Sequence, residues 1–157
     1  MDKPARILVI DDDENIRKVV TTILEDEGYT VEVAETAKEG IKKSQKIFFN
    51  LALIDVRLPD MEGVELLTKL RETKPKMRKI IVTGYPTLQN AVSAVNKGAD
   101  AYVMKPFDVE KLLTTIKEQL NKQREEKVYS EDKIAEFISS RVKELDSEGE
   151  AAQKKKP

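Results

Sequence analysis

Six residues of this 157-residue chain carry groups suited to one reaction, the transfer of a phosphoryl group. Asp11, Asp12 and Asp55 supply carboxylates, Thr83 a hydroxyl and Lys105 an ammonium, with Gly84 beside the threonine to leave room for an approaching group. A carboxylate is a competent nucleophile toward phosphorus and yields an acyl phosphate. Carboxylates crowded into a partly dry cleft repel one another, and a divalent cation is the natural compensation. An all-oxygen donor set with open positions favours magnesium, which would neutralise developing charge and hold the incoming group in line. A lysine contributes a compact positive charge for phosphate. Each residue alone has a plainer reading: Asp13 as a helix cap, Asp55 as the start of a turn, Thr83 as a strand former, Lys105 as a surface lysine. Pro106 strengthens the assignment of Lys105, because a cis Lys105–Pro106 bond would turn the ammonium back over a sheet edge.

What joins the six is their placement at the ends of apolar runs. Arg6-Ile7-Leu8-Val9-Ile10 leads into Asp11, Leu51-Ala52-Leu53-Ile54 into Asp55, Lys79-Ile80-Ile81-Val82 into Thr83, and Ala101-Tyr102-Val103-Met104 into Lys105. Short β-branched runs of this kind predict buried parallel strands. In an open parallel sheet, ligand sites form beyond the carboxyl ends of the strands. Residues scattered through the sequence therefore converge.

The elements between these runs are helical. Ile16, Val19, Val20, Ile23 and Leu24 form one apolar stripe, closed by Gly28. Ala37, Ile41, Ser44 and Phe48 form a second, and Val64, Leu67 and Leu70 a third. Leu88, Ala91, Val92 and Val95 form a fourth, closed by Gly98, and Val109, Leu112, Leu113, Ile116 and Leu120 a fifth. With Thr30-Val31-Glu32-Val33 as the remaining strand, five β-α units predict an α/β fold, a doubly wound five-stranded parallel sheet with helices on both faces. The first and third strands are expected to flank the switch point. Residues 5–120 are expected to form this domain, and 121–129 a polar helical extension or linker. A separate amphipathic helix is expected over 130–146, capped by Ser130 and striped by Ile134, Phe137, Ile138, Val142 and Leu145. Residues 147–157 read as a disordered tail.

Composition removes other chemistries. Lys and Arg number 28 against 29 Asp and Glu, a net charge of -1, so the basic face that nucleic-acid binding needs is missing. There is no cysteine, which excludes thiolate catalysis and disulfides, and no histidine, so any phosphohistidine donor must come from elsewhere. No apolar stretch has membrane-spanning length, and a soluble cytoplasmic protein is expected.

The segments Val9-Ile10-Asp11-Asp12, Leu53-Ile54-Asp55 with Leu58-Pro59-Asp60-Met61-Glu62-Gly63, Val82-Thr83-Gly84 and Lys105-Pro106-Phe107 closely resemble the receiver domain of two-component response regulators. Thr83-Gly84-Tyr85-Pro86-Thr87 is most similar to receivers of the nitrogen-regulator type. The resemblance implies the flavodoxin-like strand order 2-1-3-4-5. It implies Asp55 as phosphoacceptor. Magnesium would be held by Asp12, Asp55 and the Arg57 carbonyl, with Asp11 acting through water. Thr83 and Lys105 would contact the phosphoryl group, and Tyr102 would be the aromatic switch. Arg57 and Tyr85 would line the entrance, where slow self-dephosphorylation is expected. Implied partners are a sensor histidine kinase as donor and a downstream protein on the fourth and fifth helices, with neither nucleic acid nor membrane bound directly. The stripe over 130–146 would serve as a homodimer seam, a partner helix or a lid. Three alternatives remain: a receiver cut from a longer transcriptional regulator, a phosphatase using an aspartyl-phosphate, and a flavin or nucleotide binder. Arg57, two residues beyond Asp55 where a phosphatase would want an acid, weighs against the second. Repulsion of phosphate by Asp11-Asp12-Asp13 weighs against the third.

Overall fold

The computed structural model describes residues 3–84 and 88–154. Five strands, β1 (Arg6–Ile10), β2 (Thr30–Ala34), β3 (Leu51–Asp55), β4 (Arg78–Thr83) and β5 (Ala101–Met104), form one sheet in the order β2-β1-β3-β4-β5. Every pairing is parallel. The chain steps outward from β1 to β2, then crosses to β3 on the other side of β1, so the expected switch point lies between β1 and β3. The helices are α1 (Glu14–Asp26), α2 (Ala37–Lys46), α3 (Gly63–Leu66), α4 (Leu88–Asn96) and α5 (Val109–Lys154).

Alternation along each strand divides the core into two layers. Ile7, Val9, Leu51, Leu53, Ile80, Val82 and Val103 pack with Val20 and Leu24 of α1 and with Leu112, Ile116 and Leu120 of α5. Leu8, Ile10, Ala52, Ile54 and Ile81 pack with Ala37 of α2, Val64 and Leu66 of α3, and Ala94 of α4. Both faces are covered, which is why β3 and β4 read as unbroken buried runs. Gly28 and Gly98 take positive φ, 92° and 101°, at the turns that follow α1 and α4.

Several helical details differ from the sequence pattern. Phe48 lies beyond the end of α2 and is exposed, while its neighbour Phe49 is fully buried. The extended backbone at Ile47 ends the helical phase, so the following aromatic alternates instead. Helix α3 is a single turn, although Leu67 and Leu70 beyond it remain buried. On α4, Val92 (51%) and Val95 (68%) face solvent and Ala94 packs on the sheet. The smaller side chain lets a short helix lie close to the strands. Leu88 lies outside the described side chains.

The chain divides into two units after Gln123. Helix α5 is nonetheless one element through Lys154, so Ser130 is an interior helical residue and not a cap, and residues 147–154 are helical. The physical reason is the absence of a breaker: 121–145 contains neither Gly nor Pro and is rich in Glu, Lys, Gln and Arg. Residues 124–145 are all exposed, the apolar stripe included.

The Phe48/Phe49 distinction is directly testable by urea denaturation. Phe49→Ala should cost about 3–5 kcal/mol, as expected for a buried aromatic, whereas Phe48→Ala should lie within about 1 kcal/mol of wild type.

Candidate functional site

The carboxyl ends of β1, β3, β4 and β5 bring the expected side chains to one edge of the sheet. Asp11 immediately follows β1, where its backbone N–H donates to the Ala34 carbonyl at 3.1 Å. Its Oδ1 accepts the Asp13 N–H at 2.9 Å, and Asp13 in turn caps α1 by accepting from the N–H groups of Asn15 and Ile16. Arg17, one turn into α1, donates to the Asp11 carbonyl at 2.7 Å. The acidic turn is thus fixed from both sides. Its second carboxylate oxygen is left for the site.

Asp55, the last residue of β3, sits over a small cavity lined by Val9, Leu53, Val82, Phe107 and Leu112. Asp11, Asp12 and Asp55 each offer an oxygen within 4.8 Å of the others; Asp11 and Asp55 are nearly buried and Asp12 is exposed. Lys105 spans the buried pair, with Nζ 2.9 Å from Asp11 Oδ2 and 3.6 Å from Asp55 Oδ1. The Lys105–Pro106 bond is cis, and the Lys105 N–H donates to the Thr83 carbonyl at 2.7 Å. Thr83 is fully buried at the end of β4. The Asp55 carboxyl is pushed up to about 6, first by burial and then by the Asp11 charge. Lys105 and the Arg57 N–H, which donates to Asp55 Oδ1 at 3.3 Å, oppose the rise.

Such a donor set fits a divalent cation. The ligands are all hard oxygens, and one ammonium faces three carboxylates within the cluster. Asp11, Asp12 and Asp55 together are a group that could hold a metal ion.

Tyr102 pairs with Ile81 across β4 and β5, which puts it on the same sheet face as Thr83, two residues further along β4. It is half-buried against the α2–α4 layer, and its buried hydroxyl finds no hydrogen-bond partner among the described residues. Tyr85 lies outside the described residues. At Gly84 an added Cβ would meet only Lys105 Cβ, at 3.8 Å, an ordinary contact, so space there does not itself require glycine. The position that does is Gly63, where a Cβ would fall 2.1 Å from the Asp55 carbonyl oxygen. That close approach seats α3 directly against the end of β3, and the bare sequence signal for it was a glycine between two predicted elements. Asp60 was also missed as a structural group. It accepts from the first two N–H groups of α2, 23 and 22 residues away, and no local pattern announces such a bond.

Comparison with known proteins shows the family. The response regulator receiver domain family matches residues 7–117. A receiver domain protein (CheY-like) from Methanospirillum hungatei JF-1 is 54% identical with a TM-score of 0.75, covering 78% of this chain and 98% of that one. The beryllofluoride-activated NtrC4 receiver domain dimer is 39% identical with a TM-score of 0.71, covering 75% and 98%. The transcriptional regulatory protein YkoG of Bacillus subtilis is 36% identical over 114 residues, 73% of this chain and 50% of that protein. The chain belongs to the response regulator receiver family and is a receiver domain of two-component systems. It spans about half the length, or less, of the curated relatives it matches. Among the described residues, no helix is long and apolar enough to cross a membrane.

The raised Asp55 pKa has a consequence for stability. The folded protein holds this proton more tightly than the unfolded chain, so the group favours folding at low pH and loses that contribution as pH rises from about 4 through 6. Without metal, ionised Asp55 should cost on the order of 3 kcal/mol at neutral pH. Asp55→Asn is therefore expected to be the more stable protein at pH 7.5 in chelator, with the gap narrowing toward pH 4.5. Denaturant titrations at the two pH values measure this, and a gap independent of pH would contradict it.

Proposed function

We propose that Asp55 is the phosphoacceptor and that Asp11, Asp12, Thr83 and Lys105 complete its site. The observation that carries this is the bridge from Lys105 to both Asp11 and Asp55 within the three-carboxylate cluster. This chain has no histidine, so the donor lies outside it: a phosphohistidine on a sensor histidine kinase, or a small phosphodonor. An Asp55 oxygen bonds phosphorus as the bond from phosphorus to imidazole nitrogen breaks, its electron pair leaving with the imidazole. Asp12, Asp55 and the Arg57 carbonyl, with Asp11 behind them, would hold magnesium, which when bound would supply positive charge for the transferring oxygens. Lys105 exchanges its contact with Asp55 for the new phosphoryl group, and Thr83 offers that group its hydroxyl. Gly84 and Pro106 flank these two residues, and Tyr85 and Arg57 are assigned to the entrance, where they set the lifetime of the acyl phosphate. The chain thereby promotes its own phosphorylation and dephosphorylation, acting as a switch in the cytoplasm.

Movement of Thr83 toward the phosphoryl group frees space on the face that Tyr102 shares. The readout is then a changed surface on α4 and α5 for a downstream protein. A second reading, that this receiver works as part of a longer transcriptional regulator, is favoured by the fraction of its relatives that it spans. The exposed stripe of Ile134, Phe137, Ile138, Val142 and Leu145 suits self-association in either case.

Intact mass after incubation with magnesium and acetyl phosphate tests the chemistry. Wild type should gain one phosphoryl group and Asp55→Asn none; an adduct on the Asn variant would move the acceptor elsewhere. Sedimentation tests the stripe: the full chain should dimerise and a chain ending at Gln123 should not. Equal behaviour of the two would remove the stripe from any dimer.

A further inference from the structure

The first turn of α2 is capped twice, by residues from different parts of the chain. Thr36 is the local cap, its hydroxyl accepting the Glu39 N–H at 3.1 Å. The two N–H groups before it are taken by Asp60, whose Oδ1 accepts from Ala37 and Oδ2 from Lys38, both at 2.9 Å. One carboxylate thus satisfies two donors that a helix start leaves unpaired, at the end where negative charge is favoured. These bonds, that from Lys38 foremost, hold the Asp60 carboxyl below its usual range.

Asp60 belongs to the loop that follows Asp55. An antiparallel bridge between Arg57 and Glu62 closes that loop, and Gly63 N–H donates to the Val56 carbonyl at 2.8 Å behind it. Leu58 and Met61 rest half-buried on the core. The Arg57 end of the loop touches the site directly, since its N–H donates to Asp55 Oδ1. The same loop therefore has one end on the acceptor carboxylate and its tip on the start of α2. Thr36 caps the helix from within its own segment, whereas the bonds of Asp60 also tie the helix start to a loop from β3's side of the fold.

We propose that Asp60 is a positioning residue: it clamps the 57–62 loop to α2 and so couples the start of that helix to cation binding at Asp12, Asp55 and the Arg57 carbonyl. The inference rests on the reading of that cluster as the metal site. Coupling is reciprocal, so if the clamp favours the geometry that holds the cation, the cation must in turn tighten the clamp.

Magnesium titration of the full chain by NMR, followed by hydrogen exchange of the Ala37 and Lys38 amides, reads both directions. Asp60→Ala should bind magnesium about three- to tenfold more weakly than wild type. Asp60→Asn, which keeps one acceptor oxygen, should fall between them. Exchange at Ala37 and Lys38 should slow on adding magnesium in wild type and be indifferent to it in Asp60→Ala. Thr36→Ala serves as the structural control: it removes a bond at the same helix end without touching the loop, and should lower Tm while leaving the magnesium affinity unchanged. Equal affinity in wild type and Asp60→Ala would overturn the coupling while leaving the metal site standing. So would an equal loss of affinity in Thr36→Ala, which would reduce Asp60 to one more cap. Failure of wild type to bind magnesium would overturn the site and the coupling together.

Discussion

The rest of the molecule is organised around two carboxylates that are held too close together in too dry a place. Unit charges about 4 Å apart repel by roughly 4 kcal/mol at the effective dielectric of a protein surface, and Asp11 and Asp55 are nearly buried. Lys105 relieves part of this by standing between them. It does not relieve all of it, because the Asp55 carboxyl still binds its proton well above the ordinary carboxylate range. The site is left short of positive charge. A divalent cation would answer that need.

Keeping such a pair together requires a scaffold that cannot relax. β1 and β3, which deliver the two aspartates, are central strands with neighbours on both sides and helices on both faces. At the opposite end of the sheet a polar network holds α5 in place. Gln119 accepts from Arg78, which also pairs with Asp100 at 3.4 Å, and Gln123 donates to the carbonyls of Asn50 and Lys76. Lys79, beside Arg78, donates to the Leu67 carbonyl, where the chain leaves α3, and its burial lowers its pKa. These buried polar groups are satisfied by one another, which is what makes them tolerable in a core and directional in a way apolar contacts are not.

Legibility in the sequence followed the range of the interaction involved. The strands and the residues at their ends could be read because burial on both faces imposes a pattern that local composition expresses. The strand order came from the family resemblance, since hydrophobic runs do not say which neighbours which. Helix faces were less secure. The pattern at Phe48 assumed a helix running past its end at Lys46, and that on α4 weighed larger side chains above Ala94. Ser130 looked like a cap because its neighbours are acidic, but a cap acts only where the helix has reason to stop, and the surrounding residues give none. Gly63 and Asp60 were opaque for a different reason. One is defined by a backbone oxygen eight residues back, the other by a helix start more than twenty residues away, and neither leaves a periodic trace.

Tyr102 carries a buried hydroxyl that finds no partner among the described residues. Such a group costs about 1–3 kcal/mol, and the tyrosine ring offsets that by packing against the α2–α4 layer. Thr83 lies on the same face of the sheet and its backbone is tied to Lys105, which pairs with Asp55. On the proposed function, a phosphoryl group on Asp55 that drew Thr83 and Lys105 toward itself would change the space beside the ring by contact alone. The rigid strands that hold the aspartates let charge accumulate without being dissipated by movement, and the contacts that run from Lys105 through Thr83 to the face Tyr102 shares would carry its neutralisation away from the site.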